Sequence, residues 1–169
     1  MIEQFRGEHF FLSNMKPLKN WIETDRGISV PTTEHAYQAA KFEDLDFHRR
    51  VAEARAGEDD LRVVYADGVA SKNLAHELED LYKIPIRADW QVAKTGVMYV
   101  VVMQKFVRNP DLAERLLATE DEELVEGNNW GDRFWGVDPV GSNNGENHLG
   151  RILMRVRRRL LEERGADEG

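Results

Sequence analysis

The chain has 169 residues, with 23 Lys and Arg against 31 Asp and Glu, which gives a formal net charge of −8. A single domain is expected at this length. The sequence contains no cysteine, which excludes a disulfide framework, a zinc ribbon and a cysteine nucleophile. The negative charge disfavours sequence-independent binding to nucleic-acid backbones, although a local basic patch can still hold one nucleotide. We find neither a signal peptide nor an apolar run long enough for a membrane span, so we expect a cytoplasmic protein without a membrane partner.

The first 31 residues are predicted to form short extended pieces and at most a small sheet. One piece is expected over 9–12 and a second over 20–23. Residues 25–27 carry a turn signal, after which 28–30 can pair back as a hairpin that Pro31 ends.

From residue 32 onwards the pattern is helical. Thr32 or Thr33 can cap a helix over 34–42, which contains neither Gly nor Pro. A third helix is expected over 89–106, with a strand as the alternative because residues 97–103 are rich in β-formers. Between the helices over 34–42 and 89–106, another helix is predicted to end before Pro85. It is indicated by an apolar stripe made of Ala70, Leu74, Leu78 and Leu81.

Two further helices are predicted towards the end of the chain. Asn109 is expected to cap one that starts at Pro110. The last has apolar residues at helical spacing, namely Leu149, Ile152, Leu153, Val156 and Leu160. Residues 164–169 are polar and are expected to form a disordered tail.

The first group of chemically interesting residues lies on the helix over 34–42. At 100° per residue, Glu34, Lys41 and either Tyr37 or Gln38 share one face, so a carboxylate and an ammonium can point to one place. The alternative is that Glu34 only favours the helix macrodipole and Lys41 is solvated.

A long loop over 127–150 holds the second and third groups. Asp132 lies among aromatic residues and glycines, which suit a planar base or a sugar; alternatively the rings are core residues and Asp132 caps a turn. Residues 145–150 precede the last helix, whose first N–H groups can bind a phosphate, while Asn147 is equally expected as a plain N-cap.

Several common catalytic patterns are absent from the sequence. It has no H-E-x-x-H, P-loop, G-x-S-x-G or EF-hand pattern. Its five histidines are scattered without ligand spacing, so no metal site is predicted.

Seven ordered stretches of the chain together resemble the NADAR (NAD and ADP-ribose associated), or YbiA-like, superfamily. They are 11–14, 31–42, 89–98 with Asp89-Trp90 and Lys94, 105–106, 116–126, 132–136 and 145–157. The resemblance implies a mainly α fold with a small N-terminal β element, as a single domain over 1–163. It also implies an N-glycosidase that hydrolyses a ribose–base bond without any cofactor. The implied substrate is either a phosphoribosylated intermediate of riboflavin biosynthesis or ADP-ribosyl-guanine in nucleic acid.

The resemblance also implies the site residues. The family's essential acidic residue falls on Glu34, with Asp132 as the second acid or as an anchor for a ribose hydroxyl. The implied substrate-binding residues are Asn14, Lys41, Trp90, Lys94, Trp135, Gly136 and Asn147. The chain departs from the family pattern after Lys72, where Asn73 to His76 replace an expected Gly-Arg pair. The competing hypotheses are a non-catalytic module that binds ADP-ribose or a nucleotide, and a purely structural role.

Overall fold

The computed structural model describes residues 1–57 and 65–169 of the chain. These residues are mostly helical, as predicted, with one small sheet. The elements in chain order are the 3-10 helix Gly7–Leu12, β1 (Ile22–Glu23), β2 (Ser29–Val30), α1 (Thr33–Ala40), α2 (Leu45–Ala52), α3 (Ala66–Asp80), α4 (Trp90–Arg108), α5 (Pro110–Leu117) and α6 (His148–Asp167). Within the described ranges, no helix combines the length and the apolar character needed to cross a bilayer.

The chain forms two compact units. The continuous unit comprises Asn14–Asn109 and contains β1, β2 and helices α1 to α4. The discontinuous unit combines Met1–Ser13 with Pro110–Gly169 and contains the 3-10 helix, α5 and α6.

The predicted hairpin is confirmed. Strands β1 and β2 are antiparallel, with Ile22 opposite Val30, and both of these side chains are fully buried. The turn between them uses Gly27 at a φ of 76°, a conformation that glycine adopts without the steric cost of a side chain.

Helix α1 is the centre of the continuous unit, where it packs against α2, α3 and α4. It begins as predicted, because the Thr32 side chain accepts a hydrogen bond from the His35 N–H at 3.1 Å. All eight residues of α1 are buried, including Glu34, His35 and Gln38. Polar side chains are seldom buried this completely unless they are hydrogen bonded. The buried polar residues of α1 therefore form a candidate functional site.

Helices α3 and α4 form where the sequence predicts them, and residues 97–103 are helical rather than extended. The buried face of α3 differs from the predicted stripe. Ser71, Ala75 and Leu78 are buried, whereas Leu81 lies just beyond the helix and is 67% exposed. The apolar positions therefore located the helix but not its inner face.

Two isolated parallel bridges join distant segments of the discontinuous unit. Ile2 forms a parallel bridge with Leu124, and Gly127 forms another with Val137. Helix α6 packs against α5 and buries the predicted apolar residues from Leu149 to Val156.

Two predictions about local structure are wrong, and one helix was missed. Residues 9–12 belong to a 3-10 helix rather than a strand, because the adjacent Phe11 and Leu12 are both buried and a strand would turn them to opposite faces. Helix α2 was not predicted; Asp44 caps it by accepting from the N–H groups of Asp46 and Phe47. Helix α6 continues to Asp167, into the residues expected to be a disordered tail, where Arg164 pairs with Glu114.

Candidate active site

The carboxylate of Glu34 lies in the first turn of α1 and is 7% exposed. Its Oε1 accepts a hydrogen bond from the Gln38 side-chain amide at 2.8 Å. Its backbone N–H donates to the Asn14 carbonyl at 3.1 Å. Both ends of Glu34 are therefore fixed, as a group that must act at one point of a substrate requires.

Lys41 ends the same helix and is also 7% exposed. Burial lowers the pKa of the Lys41 ammonium, whereas the carboxylates of Glu79 and Glu34 act in the opposite direction. The predicted proximity of Glu34 and Lys41 is thus present as an electrostatic interaction. An ammonium that is poorly solvated gains much from an incoming anion, which fits a role in holding a phosphate.

Positive charge continues from Lys41 onto α3. Burial lowers the pKa of His76, and the charges of Lys41 and Lys72 lower it further. His76 ends the stretch Asn73 to His76, where the chain departs from the family pattern after Lys72. The Lys72 and His76 side chains are four residues apart on the helix, so they share one face.

Asn14 supports the start of α1. Its side-chain oxygen accepts from the Thr33 hydroxyl at 3.0 Å, and its amide nitrogen contacts the sulfur of Met98 at 3.4 Å. Both ends of the side chain therefore contact protein atoms next to the backbone that precedes Glu34.

Trp90 and Lys94 lie on α4. Trp90 is 4% exposed, and its ring packs on Tyr37 with ring centroids 5.1 Å apart. This burial leaves almost none of the Trp90 side chain accessible. Lys94 is half-buried and donates to the side chain of Gln91 at 2.9 Å.

Asp132 lies in the discontinuous unit, within the loop that precedes α6. Its Oδ1 accepts from the N–H groups of Phe134 at 3.2 Å and Trp135 at 2.9 Å. Asp132 therefore caps a turn, which is the simpler of its two sequence-based interpretations. Its side chain is half-buried, so this turn leaves the carboxylate within reach of solvent.

Asn128 fixes the loop around Asp132, and sequence reasoning missed it. The Asn128 side chain is 1% exposed, accepts from the N–H of Asp132 at 3.1 Å and donates to the Asp132 carbonyl at 2.7 Å. The available signal was the Gly127-Asn128-Asn129 run, since asparagine commonly forms such turns with the backbone two to four residues on.

Three rings form an aromatic cluster in the same unit. Phe134 lies 4.9 Å from Trp135 and 4.3 Å from His148, measured between ring centroids. All three residues are half-buried, so the cluster offers partly accessible ring surface. Contact with a planar group requires accessible ring surface of this kind.

Gly136 and Asn147 are joined by a backbone hydrogen bond from the Asn147 N–H to the Gly136 carbonyl at 3.2 Å. A Cβ at Gly136 would lie 1.9 Å from the Glu126 carbonyl oxygen, so only glycine fits. The Asn147 side chain donates to the Leu124 carbonyl and accepts from the Glu126 N–H. Both residues therefore hold the loop against 124–126.

The expected anion site at the start of α6 is corrected by the structure. The N–H groups of Asn147, His148 and Leu149 donate to the carbonyls of Gly136, Phe134 and Trp135. They are consequently occupied by the loop itself. The alternative of a plain N-cap is also wrong, because the Asn147 side chain makes no capping bond and its backbone is left-handed, with φ at 51°.

The predicted site residues thus fall into two groups, one in each unit. The continuous unit brings together Asn14, Glu34 and Lys41, and packs Trp90 against the same helix. The discontinuous unit joins Asp132, Trp135, Gly136 and Asn147 in one network of backbone and side-chain bonds. Among residues 1–57 and 65–169, no group of three or more histidine or carboxylate side chains is arranged to hold a metal ion.

Comparison with known proteins supports one family. The NADAR domain model matches residues 3–161, across both units. The chain is 37% identical over 131 residues to an N-glycosidase of Nostoc punctiforme, covering 76% of this chain and 73% of that protein. It is 30% identical over 138 residues to N-glycosidase YbiA of Escherichia coli, covering 82% and 75% of the two chains.

A longer relative and a solved structure extend this comparison. A riboflavin biosynthesis protein of Vibrio vulnificus is 36% identical over 154 residues, which cover 91% of this chain and only 36% of that protein. This chain therefore spans about a third of that relative's length. The NMR structure of Escherichia coli YbiA matches with a TM-score of 0.72 and 26% identity, covering 97% of this chain and 89% of the other.

The fold and the position of the site define a mostly helical domain with a buried acidic residue on its central helix. This chain belongs to the NADAR domain family.

Proposed function

We propose that this protein is an N-glycosidase that hydrolyses the bond between a ribose and a base. Two relatives that match most of the chain are named N-glycosidases. The single observation that carries the proposal is the buried Glu34 carboxylate, held at its backbone by Asn14 and at its side chain by Gln38. A fixed carboxylate is the group that this reaction needs beside the sugar carbon.

The chemistry assigns a role to each group. As the C1′–N bond breaks, its electron pair leaves with the base and positive charge builds on C1′ and the ring oxygen. Glu34 stabilises this charge and accepts a proton from the water that adds to C1′. Asp132 is proposed as the second acid or as an anchor for a ribose hydroxyl, and the departing base takes up a proton.

Binding is assigned to the other site residues that the resemblance implies. Lys41 and Lys94 are proposed to hold the phosphate. Trp135, with its partly accessible ring, is proposed to stack on the base, which is worth roughly 1–3 kcal/mol. Asn14, Gly136 and Asn147 are proposed to hold the segments that carry Glu34 and Asp132 in place for substrate binding.

The substrate class is a ribosylated base that carries phosphate. The net charge of −8 favours a phosphoribosylated small molecule, such as a riboflavin-biosynthesis intermediate, over an ADP-ribosylated nucleic acid strand. The Vibrio vulnificus relative is named a riboflavin biosynthesis protein, in agreement with this choice.

The test is direct cleavage, followed by mass spectrometry. The purified protein is incubated with the ribosylaminopyrimidine phosphate of riboflavin synthesis and, separately, with an oligonucleotide that carries ADP-ribosyl-guanine. We expect release of the base from the first substrate and a loss of about 10²- to 10⁴-fold in turnover for Glu34→Gln. Glu77→Gln, at an exposed position of α3, is the matched control and should retain activity.

Other outcomes would change the proposal. Cleavage of only the oligonucleotide would keep the reaction and replace the substrate. Tight binding of ADP-ribose in calorimetry without any cleavage would favour the non-catalytic binding module. Full activity of Glu34→Gln would remove Glu34 from the mechanism.

A further inference from the structure

Gln38 lies one turn after Glu34 on α1 and is 3% exposed. Its side-chain Nε2 donates to the Glu34 Oε1 at 2.8 Å. Its own Oε1 is buried and has no hydrogen-bond partner among the residues that the structure describes. The nitrogen of this amide is therefore hydrogen bonded, whereas its buried oxygen is not.

This arrangement is unfavourable for stability taken alone. A buried carbonyl without a partner costs about 1–3 kcal/mol, which exceeds the net gain from a typical hydrogen bond. Turning the amide over would not help, because its oxygen would then face the Glu34 oxygen. An apolar side chain of similar length would fill the same space without this cost.

The orientation of the amide therefore serves Glu34. A hydrogen bond donated to a carboxylate favours its ionised form and holds its plane in one direction. The Asn14 carbonyl holds the backbone N–H of Glu34, and the Gln38 amide holds the Glu34 carboxylate. Within the described residues, the side-chain hydrogen bond of Gln38 is directed to the proposed catalytic group.

We propose that Gln38 is a positioning residue for Glu34, retained to orient the carboxylate and keep it ionised rather than to stabilise the fold. The proposal deepens the N-glycosidase function and rests on it for the kinetic consequences. Its structural part concerns only the free protein and is tested without substrate.

The first experiment uses Gln38→Met, which keeps the length of the side chain and removes both polar ends. The titration of the Glu34 carboxyl carbon is followed by ¹³C NMR in the wild type and the variant. We expect the titration midpoint to rise by about one pH unit, and the melting temperature to stay equal or increase. Gln4→Met, at an exposed position, should change neither.

A second variant guards against poor folding of the first. Gln38→Glu places another carboxylate beside Glu34, so it should raise the Glu34 midpoint further than Gln38→Met does. An unchanged midpoint in either folded variant would overturn the proposal.

The kinetic experiment asks whether Gln38 acts through Glu34. In Gln38→Met we expect kcat to fall at least tenfold and the acid limb of the kcat/KM profile to move to higher pH. In the Glu34→Gln background the same change should have no further effect, since the group it positions is already lost. An equal loss in both backgrounds would assign Gln38 an independent role and overturn the proposal.

The two proposals fail in distinguishable ways. If the wild type cleaves neither substrate, the N-glycosidase function fails, while the NMR midpoints still decide whether Gln38 controls Glu34. If the midpoints do not move although the wild type cleaves, only the role of Gln38 is lost.

Discussion

At the residue scale, the partners of the buried side chains separate the predicted site residues into two kinds. Glu34 and Lys41 are buried and electrostatically linked on one helix. Asn14 and Asn147 instead direct their side-chain polar groups to other parts of the protein. A sequence motif contains all four residues without distinguishing their roles. Both the residues that hold a site in place and those that act in it depend on a specific side-chain chemistry.

Asp132 provides a prediction at this scale, because capping and catalysis make different demands on its side chain. Asparagine retains an oxygen that can accept from Phe134 and Trp135 but lacks the negative charge. We therefore expect Asp132→Asn to unfold at nearly the wild-type temperature and to lose at least tenfold in kcat, with KM little changed if the charge acts in the transition state.

The matched control is Asp111→Asn, at an exposed position in the first turn of α5. Steady-state kinetics and thermal unfolding of both variants distinguish a catalytic role of Asp132 from a capping role. Wild-type turnover in Asp132→Asn would reduce Asp132 to a turn cap.

Sequence reasoning succeeded at residues whose role follows from local chemistry. Thr32 was expected as a possible cap and is one, and Glu34 shares its helix face with Gln38 and Lys41 as the helical period requires. It failed for the start of α6, because local sequence does not show that loop carbonyls take up the first N–H groups of the helix.

At the element scale, the loop before α6 depends on close approaches between backbones. At Gly136 an added Cβ would lie 1.9 Å from a carbonyl oxygen of the neighbouring segment. We expect Gly136→Ala to lower the free energy of unfolding by about 1–3 kcal/mol, because the backbone must shift to admit the methyl group.

Gly96→Ala is the control with the opposite expectation. Gly96 lies within α4, and a Cβ there would meet nothing within 4 Å. Alanine should therefore stabilise the protein by about 0.5–1 kcal/mol through its higher helix propensity. Urea unfolding of the two variants measures both values, and a neutral Gly136→Ala would show that the loop can relax.

Elements with a strong period were predictable, and those stabilised by tertiary packing were not. Helices α1, α3, α4, α5 and α6 and the hairpin all follow the sequence signals. The 3-10 helix was predicted as a strand because its aromatic residues favour β structure locally, while burial of both Phe11 and Leu12 decides the outcome. Helix α2 has only eight residues and a half-exposed Leu45, which weakened its pattern.

At the scale of the whole molecule, a buried histidine links folding to pH. His35 is fully buried, its Nδ1 lies 2.7 Å from the Thr32 hydroxyl and its Nε2 lies 2.8 Å from the Ala54 carbonyl oxygen. Burial lowers the pKa of His35 from 6.5 to about 4, so the ring is neutral in the folded protein at pH 7.

The stability of the protein should therefore decrease as the pH falls from about 6.5 towards 4. In this window the unfolded chain binds a proton at His35 and the folded chain does not, which favours unfolding. The loss is of the order of 3 kcal/mol at 1.36 kcal/mol per pKa unit. Burial also lowers the pKa of His48 and His76, which act in the same direction.

Urea unfolding at a series of pH values measures this dependence. His35→Gln keeps polar ends on the side chain but does not titrate in this window, so its slope between pH 6.5 and 4 should be smaller than that of the wild type. His9→Gln, at a half-buried surface position, should leave the slope unchanged. Equal slopes in all three proteins would exclude His35 as the source.

The discontinuous unit also imposes an order on biosynthesis. The backbone of Ile2 pairs with residues 123–125, so this stretch, once it has left the ribosome, cannot find its partners until residues 123–125 have been made. At roughly 5–20 residues per second this delay is on the order of ten seconds. Residues 14–109 are complete earlier, so the nascent chain can pack the helix that carries Glu34 before the segment containing Asp132 has been translated.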